Sequence, residues 1–378
     1  MTEKDIKLHH SLAPFSILYE IGVRIRNQLF EWGILSSEHY PIPIISIGNL
    51  SVGGTGKTPH TEYIINLLKK QYKIAVLSRG YKRHTSGFII ADDKSSSREI
   101  GDEPYQMKNK FTDILVAVDS NRRRGIKNLL ALPKEIRPEV ILLDDAFQHR
   151  YVKPSLSLVL TDYHRLFYYD KIMPVGRLRE PIQGIKRADI VIVTKCKNGI
   201  KPIEFRIIEE NMKLQAHQKL FFTRIKYDEI KPIYPEIAHP KSLQTINKND
   251  EILLISGIAA PDSFIEEVKR FSTKVRVIAF PDHHSFNKSD FKKLNIIYEE
   301  LISSNKFILV TEKDAARLKN NPFLPLAWKQ SLYYLPITID FYQNRNFDEI
   351  IKKHIDIYKH TNTQFSRNQA QRLNNQNK

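Results

Sequence analysis

Residues 42–58, Ile-Pro-Ile-Ile-Ser-Ile-Gly-Asn-Leu-Ser-Val-Gly-Gly-Thr-Gly-Lys-Thr, run from a short apolar, β-branched stretch into glycines and end on Gly-Lys-Thr. Gly53, Gly54 and Gly56 let successive backbone N–H groups turn toward one anion. Lys57 can then reach the β and γ phosphates of a nucleotide, and Thr58 offers a hydroxyl to Mg²⁺. Residues 42–47 have the pattern of a buried strand, and residues 59–70 carry helical spacing at Tyr63, Ile64, Leu67 and Leu68. Strand, glycine loop, helix is the order a phosphate cradle needs, with Ser51, Val52, Gly53, Gly54, Thr55, Gly56, Lys57 and Thr58 as its nucleotide-binding residues. The usual G-x-x-x-x-G-K-[ST] spacing asks for glycine at position 51, where this chain has Ser51. The loop is therefore read from its context. The bland alternative is a βα turn that binds nothing, and lysine and threonine directly after the last glycine weigh against it.

Working outward, apolar runs at 73–77, 113–118, 140–143, 156–160 and 190–193 alternate with helical or loop-rich spacers. This predicts an α/β fold, a P-loop NTPase-like αβα sandwich with ligands at the carboxyl ends of parallel strands. The pattern loosens over 198–250, and strand-like runs return at 252–256, 275–280 and 307–310, marking a second, smaller α/β domain. The tail from about 360 is rich in Asn, Gln, Arg and Ser and predicts disorder. The expected division is an N-terminal amphipathic helix in 1–40, a core domain over 41–220, a second domain over 221–345, and a helix with a disordered tail over 346–378.

The 378 residues carry a formal charge of +17, which implies an anionic partner: a phosphorylated substrate, an acidic membrane surface or nucleic acid. One cysteine, Cys196, excludes an internal disulfide and a cysteine metal site, and reads as a buried thiol at a strand end. No signal-peptide pattern and no spanning apolar run is present, so the chain reads as cytoplasmic and not integral to a membrane. Within residues 12–35, however, Phe15, Leu18, Ile21, Ile25, Leu29 and Trp32 recur at three- and four-residue steps, with Arg24 and Arg26 elsewhere on the wheel. Periodicity alone fits equally an interfacial helix and one packed on the protein's own core.

An apolar strand ends in Asp144-Asp145, the placement that holds Mg²⁺ opposite a loop threonine. Gly101-Asp102-Glu103-Pro104 sets two carboxylates ahead of a helix; by itself Asp102 reads first as an N-cap, and as a general base second. Asp282-His283-His284 fits metal poorly, since the histidines are adjacent and not spaced by a helical turn, and fits an oriented histidine better. Arg79, Arg122-Arg123-Arg124 and Gly176-Arg177-Leu178-Arg179-Glu180 crowd the expected strand ends with groups suited to phosphate oxygens. Two other classes compete. A nucleotide-dependent P-loop switch is suggested by Val193-Thr194-Lys195, but position 197 is lysine where a guanine reader needs a carboxylate. A nucleic-acid binder is suggested by charge alone, with no recognisable module.

Taken in order, residues 48–59, Ser78-Arg79-Gly80-Tyr81, Gly101-Asp102-Glu103-Pro104, Asp144-Asp145-Ala146-Phe147-Gln148-His149, Gly176-Arg177-Leu178-Arg179-Glu180 and Asp282-His283-His284 resemble the tetraacyldisaccharide 4′-kinase family of Gram-negative bacteria. That family's loop begins as this one does, Ser51 included. The resemblance implies transfer of the γ-phosphate of ATP, with Mg²⁺, to the 4′-hydroxyl of a lipid A disaccharide 1-phosphate during lipopolysaccharide synthesis. It implies a peripheral enzyme at the cytoplasmic face of the inner membrane, with the lipid and the anionic surface as partners and neither nucleic acid nor an obligate protein partner.

By resemblance, Lys57 and Arg122 serve catalysis with Asp102 as base, oriented by His283. Thr58, Glu103, Asp144 and Asp145 attend the metal, and Arg79, Gln148, His149 and Glu180 line the substrate cleft. Residues 221–226 and 337–341 are the expected two-stranded connection between the domains, and the N-terminal helix is expected to touch the membrane. The sequence departs from the family at Ala146 and Asn121. The second departure leaves open which of Arg122, Arg123 and Arg124 faces the phosphates.

Overall fold

The computed structural model describes residues 6, 8–258, 261–282, 284–319, 321–342 and 346–376, with side chains as far as residue 361. The chain forms two compact units, residues 1–225 with 339–378 and residues 226–338. In the first unit the strands are β1 (Ile44–Asn49), β2 (Ile74–Ser78), β3 (Ile89–Ile90), β4 (Leu115–Val118), β5 (Val140–Asp144), β6 (Leu156–Asp162), β7 (Ile190–Thr194) and β8 (Lys219–Tyr227). The helices are α1 (Ala13–Glu31), α2 (Lys57–Leu68), α3 (Ser97–Ile100), α4 (Asp102–Lys110), α5 (Arg122–Leu130) and α6 (Pro202–Met212). The second unit holds β9 (Lys231–Pro232), β10 (Glu251–Ser256), β11 (Lys274–Ala279), β12 (Lys306–Thr311) and β13 (Leu332–Leu335), with α7 (Asp262–Phe271), α8 (Lys288–Glu299) and α9 (Glu312–Leu318). The chain returns through β14 (Ile337–Phe341) and ends in α10 (Phe347–Gln376).

The larger sheet runs β14-β8-β7-β6-β1-β5-β2-β4-β3. Its inner strands are apolar on both sides, as parallel strands covered on two faces must be. Alternate residues separate cleanly: Ile45, Ile47, Val76 and Leu142 meet Ile64, Ile65 and Leu68 of α2, Met107 of α4 and Ile351 of α10 on one face. Ile44, Leu77, Ile141 and Leu143 meet Ile126 and Leu129 of α5 on the other. The result is the expected three-layer sandwich. Register sets the site, because β1 pairs with β5 in parallel with Ile47 opposite Asp144, so the glycine loop and the paired aspartates leave adjacent strands at the same level.

The second unit repeats the plan on a sheet ordered β11-β10-β12-β13-β9, with Leu253, Ile255, Ile308 and Val310 packed against Phe291 and Leu294 of α8. Its buried Asp314 accepts the Gly257 N–H at 2.9 Å and the Thr311 hydroxyl at 2.7 Å, and pairs with Arg317 at 3.1 Å. The unit boundaries fall within β8 and within β14, so the second unit spans 226–338, narrower than the expected 221–345, and the chain from residue 339 on belongs with the first unit.

The C-terminal helix belongs to the first unit, where Tyr63 donates to Asp348 at 2.8 Å and Tyr358 donates to the Tyr40 carbonyl at 2.9 Å. The expected C-terminal helix is present, its backbone helical from Phe347 to Gln376. The chain from Phe347 onward contains neither glycine nor proline, so a helix anchored by its first turns meets no residue that stops it.

Candidate functional site

The phosphate loop is built by strand, turn and helix as its residues dictate. Gly48 sits at the end of β1 where a Cβ would lie 2.6 Å from that of Phe147, so the strand bearing the loop and the turn after β5 touch backbone to side chain. Ser51 bridges Leu178, and the Val52 N–H donates to the Arg177 carbonyl at 2.8 Å. The backbone there is strand-like, which is why serine serves where the usual pattern has glycine. Gly56 caps α2 with φ +86°, a left-handed conformation natural to glycine. Inside the loop, Asn49 Nδ2 donates to the Thr55 hydroxyl at 2.8 Å, and the Thr194 hydroxyl donates to the Thr55 carbonyl at 2.8 Å. Thr194 belongs to the segment that mimics a guanine-reading motif; it braces the loop instead, and Lys195 pairs with Asp162 at 2.8 Å.

Asp144 and Asp145 have separate environments. Asp145 has φ +47°, and its carboxylate receives Arg179 Nη1 at 2.9 and 3.1 Å, with Lys57 Nζ at 3.6 Å. Burial alone would raise its pKa, but Lys57 and Arg179 outweigh it and hold the carboxyl below the usual range. Asp144 is 5 % exposed; Ser78 lies 3.5 Å from its Oδ2, and its Oδ1 is buried without a hydrogen-bond partner. Burial, with Asp145 and Glu103 adding negative charge, pushes its carboxyl up to about 6.

Among the three arginines, Arg122 is the one at these strand ends. Its guanidinium donates to the Asp119 and Asp144 carbonyls, the second at 3.2 Å, while its Nε is buried without a partner. Burial lowers its pKa to about 10, still a cation at neutral pH. Arg124 forks onto Asp119 at 2.8 Å through both nitrogens, and Arg123 lies over the Tyr151 ring near Glu38.

Asp102 is the first residue of α4, one past the cap position, which Gly101 takes. The N-cap reading of Asp102 therefore gives way, and Glu103 lies near enough to Asp144 to raise its pKa. Arg79 is exposed just beyond β2, and its charge helps to lower the pKa values of Arg122 and His149. His149 is held neutral, its pKa lowered to about 4 by burial and by Arg122. Gln148 Nε2 donates to the Asn49 carbonyl at 2.7 Å and to Glu180 at 3.0 Å. Glu180, 2 % exposed, also takes Arg187, whose guanidinium stacks 4.4 Å over Phe147. Gln148 and Glu180 thus tie the loop after β5 to the segment bearing Arg179.

In the second unit Asp282 pairs with Lys313 at 3.7 Å and His284 with Asp290 at 2.8 Å; His283 lies outside the described residues. Cys196 is buried and its thiol is pushed up to about 12, consistent with an inert core sulfur.

Helix α1 braces the same loops. Ser16 donates to the Ile172 carbonyl, Tyr19 to that of Arg179 and Arg26 to that of Gln148, each at 2.9 Å. The opposite face leaves Phe15 64 %, Leu18 68 %, Ile25 58 % and Trp32 69 % exposed. The sequence alone does not announce Arg179 as the partner of Asp145, nor Arg187, Thr194 and His60, whose contacts with Phe147, the Thr55 carbonyl and Thr223 come from distant parts of the chain.

Residues 8–356 match the family model described as Tetraacyldisaccharide-1-P 4'-kinase. The chain is 56 % identical to the tetraacyldisaccharide 4'-kinase of Parabacteroides distasonis over 358 residues, 94 % of this chain and 97 % of that one. It is 50 % identical to that of Bacteroides fragilis over 355 residues, 93 % and 94 % of the two chains. Among solved structures, LpxK from Aquifex aeolicus in complex with ATP superposes with a TM-score of 0.68 at 28 % identity, covering 92 % of this chain and 99 % of that one. With a match that runs from the first helix into the last, this chain belongs to the tetraacyldisaccharide-1-P 4'-kinase family.

Proposed function

We propose that this protein transfers the γ-phosphate of ATP to the 4′-hydroxyl of a lipid A disaccharide 1-phosphate, giving a 4′-phosphorylated precursor of the lipid IVA type. The observation that carries the reading is the meeting of Lys57, Asp144, Asp145 and Arg122 at the ends of adjacent parallel strands, in a chain of this family. Loop N–H groups and Lys57 hold the β and γ phosphates, and Arg122 offers a fixed cation to charge on the transferring group. Asp102 takes the proton of the attacking hydroxyl, with Arg79 at the rim for substrate phosphate.

The residues fit Mg²⁺. Asp144 Oδ1 is a buried, unpartnered acceptor, and the described residues contain no group of three or more His, Cys, Asp or Glu side chains able to cage a metal. That sparse donor set suits an ion delivered on nucleotide phosphates and held by one carboxylate and a hydroxyl, here Asp144 and Thr58. Bound there, Mg²⁺ would neutralise charge on the phosphate oxygens. Asp145, engaged by Arg179, orients Lys57 from the side.

Helix α1 supplies the membrane contact. Its exposed apolar stripe and adjacent arginines suit the interface of an anionic leaflet, and no described helix is long and apolar enough to cross a membrane. The enzyme is peripheral, at the cytoplasmic face of the inner membrane, where an insoluble acceptor is presented. The test is transfer of labelled γ-phosphate to the dispersed disaccharide 1-phosphate; ATP hydrolysis indifferent to the lipid, with no label on it, would favour a nucleotide switch.

A further inference from the structure

His60 lies on the buried face of α2, one turn after the phosphate loop, and is 2 % exposed. Its Nδ1 stands 2.7 Å from the Gly56 carbonyl oxygen and its Nε2 stands 3.0 Å from the Thr223 hydroxyl on β8. A carbonyl only accepts, so Nδ1 carries the proton and Nε2 accepts from Thr223.

We propose that His60 is a positioning residue for the nucleotide: it holds the last peptide of the phosphate loop so that the Lys57 N–H faces the phosphates. The peptide unit is planar and trans, so its C=O and N–H point in opposite directions. The Gly56 carbonyl takes two donors from His60, the backbone N–H at 3.3 Å, which opens α2, and the imidazole Nδ1 at 2.7 Å; the side-chain bond is the shorter, and holding the carbonyl inward aims the Lys57 N–H outward. The neighbouring peptide is treated alike, because Thr194 pins the Thr55 carbonyl and so directs the Gly56 N–H. Two consecutive donors of the cradle are thus oriented by side chains from β7, α2 and β8, without touching the ligand. The His60 ring is also 3.6 Å from where a Gly56 Cβ would stand, so the turn and the imidazole fit each other by shape.

This inference rests on ATP being the bound nucleotide, and calorimetric binding of Mg²⁺·ATP tests it without any lipid acceptor. His60→Ala is expected to weaken ATP at least about tenfold, with ATP KM rising in parallel and acceptor KM unchanged. His60→Asn, whose amide reaches Gly56 but not Thr223, recovers part of the loss. Thr223→Val, which leaves the ring in place, shifts ATP affinity in the same direction by less, and decides the matter if His60→Ala does not fold. ATP affinity equal to wild type in folded His60→Ala or in Thr223→Val would overturn the inference, as would equal rises in both KM values. Failure of lipid transfer in wild type with these ATP effects intact would strike the proposed reaction and uphold the role of His60.

Discussion

Replacing Arg187 by methionine isolates the cost of a buried carboxylate at the edge of the site. Glu180 is 2 % exposed and has two partners, Gln148 at 3.0 Å and the Arg187 guanidinium. At an effective dielectric of about 20, an ion pair about 4 Å between charge centres is worth roughly 4 kcal/mol. The loss cannot reach that figure, since an unpaired Glu180 can take a proton. For a carboxyl with an ordinary pKa of 4.5, protonation costs about 3.4 kcal/mol at pH 7 and about 1.4 kcal/mol at pH 5.5.

Burial already raises the wild-type pKa against the pull of Arg187, so part of this cost is present before the substitution. The expected destabilisation is about 2–3 kcal/mol at pH 7 and about 1 kcal/mol at pH 5.5. The direction follows from the raised pKa: the folded state holds the proton more tightly, so stability is full below 4.5 and is lost as pH rises through the folded value. Loss of the Arg187 contact with Phe147 adds a remainder that does not vary with pH. Urea unfolding at the two pH values, on Arg187→Met and on Arg187→Met with Glu180→Gln, measures both parts. Equal deficits at both pH values, or a double variant no more stable than the single one at pH 7, would refute the reasoning.

Asp144, held at about 6 by burial and by Asp145, must lose its proton to bind metal. Affinity for Mg²⁺·ATP is expected to fall about tenfold per pH unit below 6 and to level off above it; a flat profile contradicts this. Asp144→Asn removes the step and lowers transfer on the order of 100-fold or more. Exchanging exposed Phe15, Leu18 and Trp32 for serine removes about 1–2 kcal/mol of interfacial burial per side chain, so co-sedimentation with anionic vesicles drops by at least about 100-fold while ATP affinity holds. Unchanged vesicle binding would assign that stripe another role.

The central strands were legible because each is a short apolar run closed by turn residues, and the phosphate loop because its glycines, lysine and threonine are contiguous. Ser51 is explained only by pairing with Leu178, a partner 127 positions away that no local pattern announces. Arg179 is legible as a basic group at an expected strand end but not as the partner of Asp145, 34 positions away, and Arg187 is one basic residue among many until the fold buries Glu180 beside it. His60 did leave a signal. It shares the spacing of Ile64 and Leu68 on the apolar side of α2, where a histidine needs partners for both nitrogens. Read alone, Asp102 suggests a cap because acidic residues favour that position, but Gly101 takes it and leaves Asp102 as the first residue of the helix.

The central claim is that the strand-end cluster transfers phosphate from ATP to a sugar hydroxyl of a lipid. The most direct measurement is γ-phosphate transfer to detergent-dispersed lipid A disaccharide 1-phosphate by wild type, Lys57→Ala and Asp102→Ala, with the labelled position on the sugar determined. The account predicts label at the 4′-oxygen with wild type and loss of labelling in both variants, with ATP binding retained in Asp102→Ala. Label on another oxygen, or full transfer by Asp102→Ala, would contradict it.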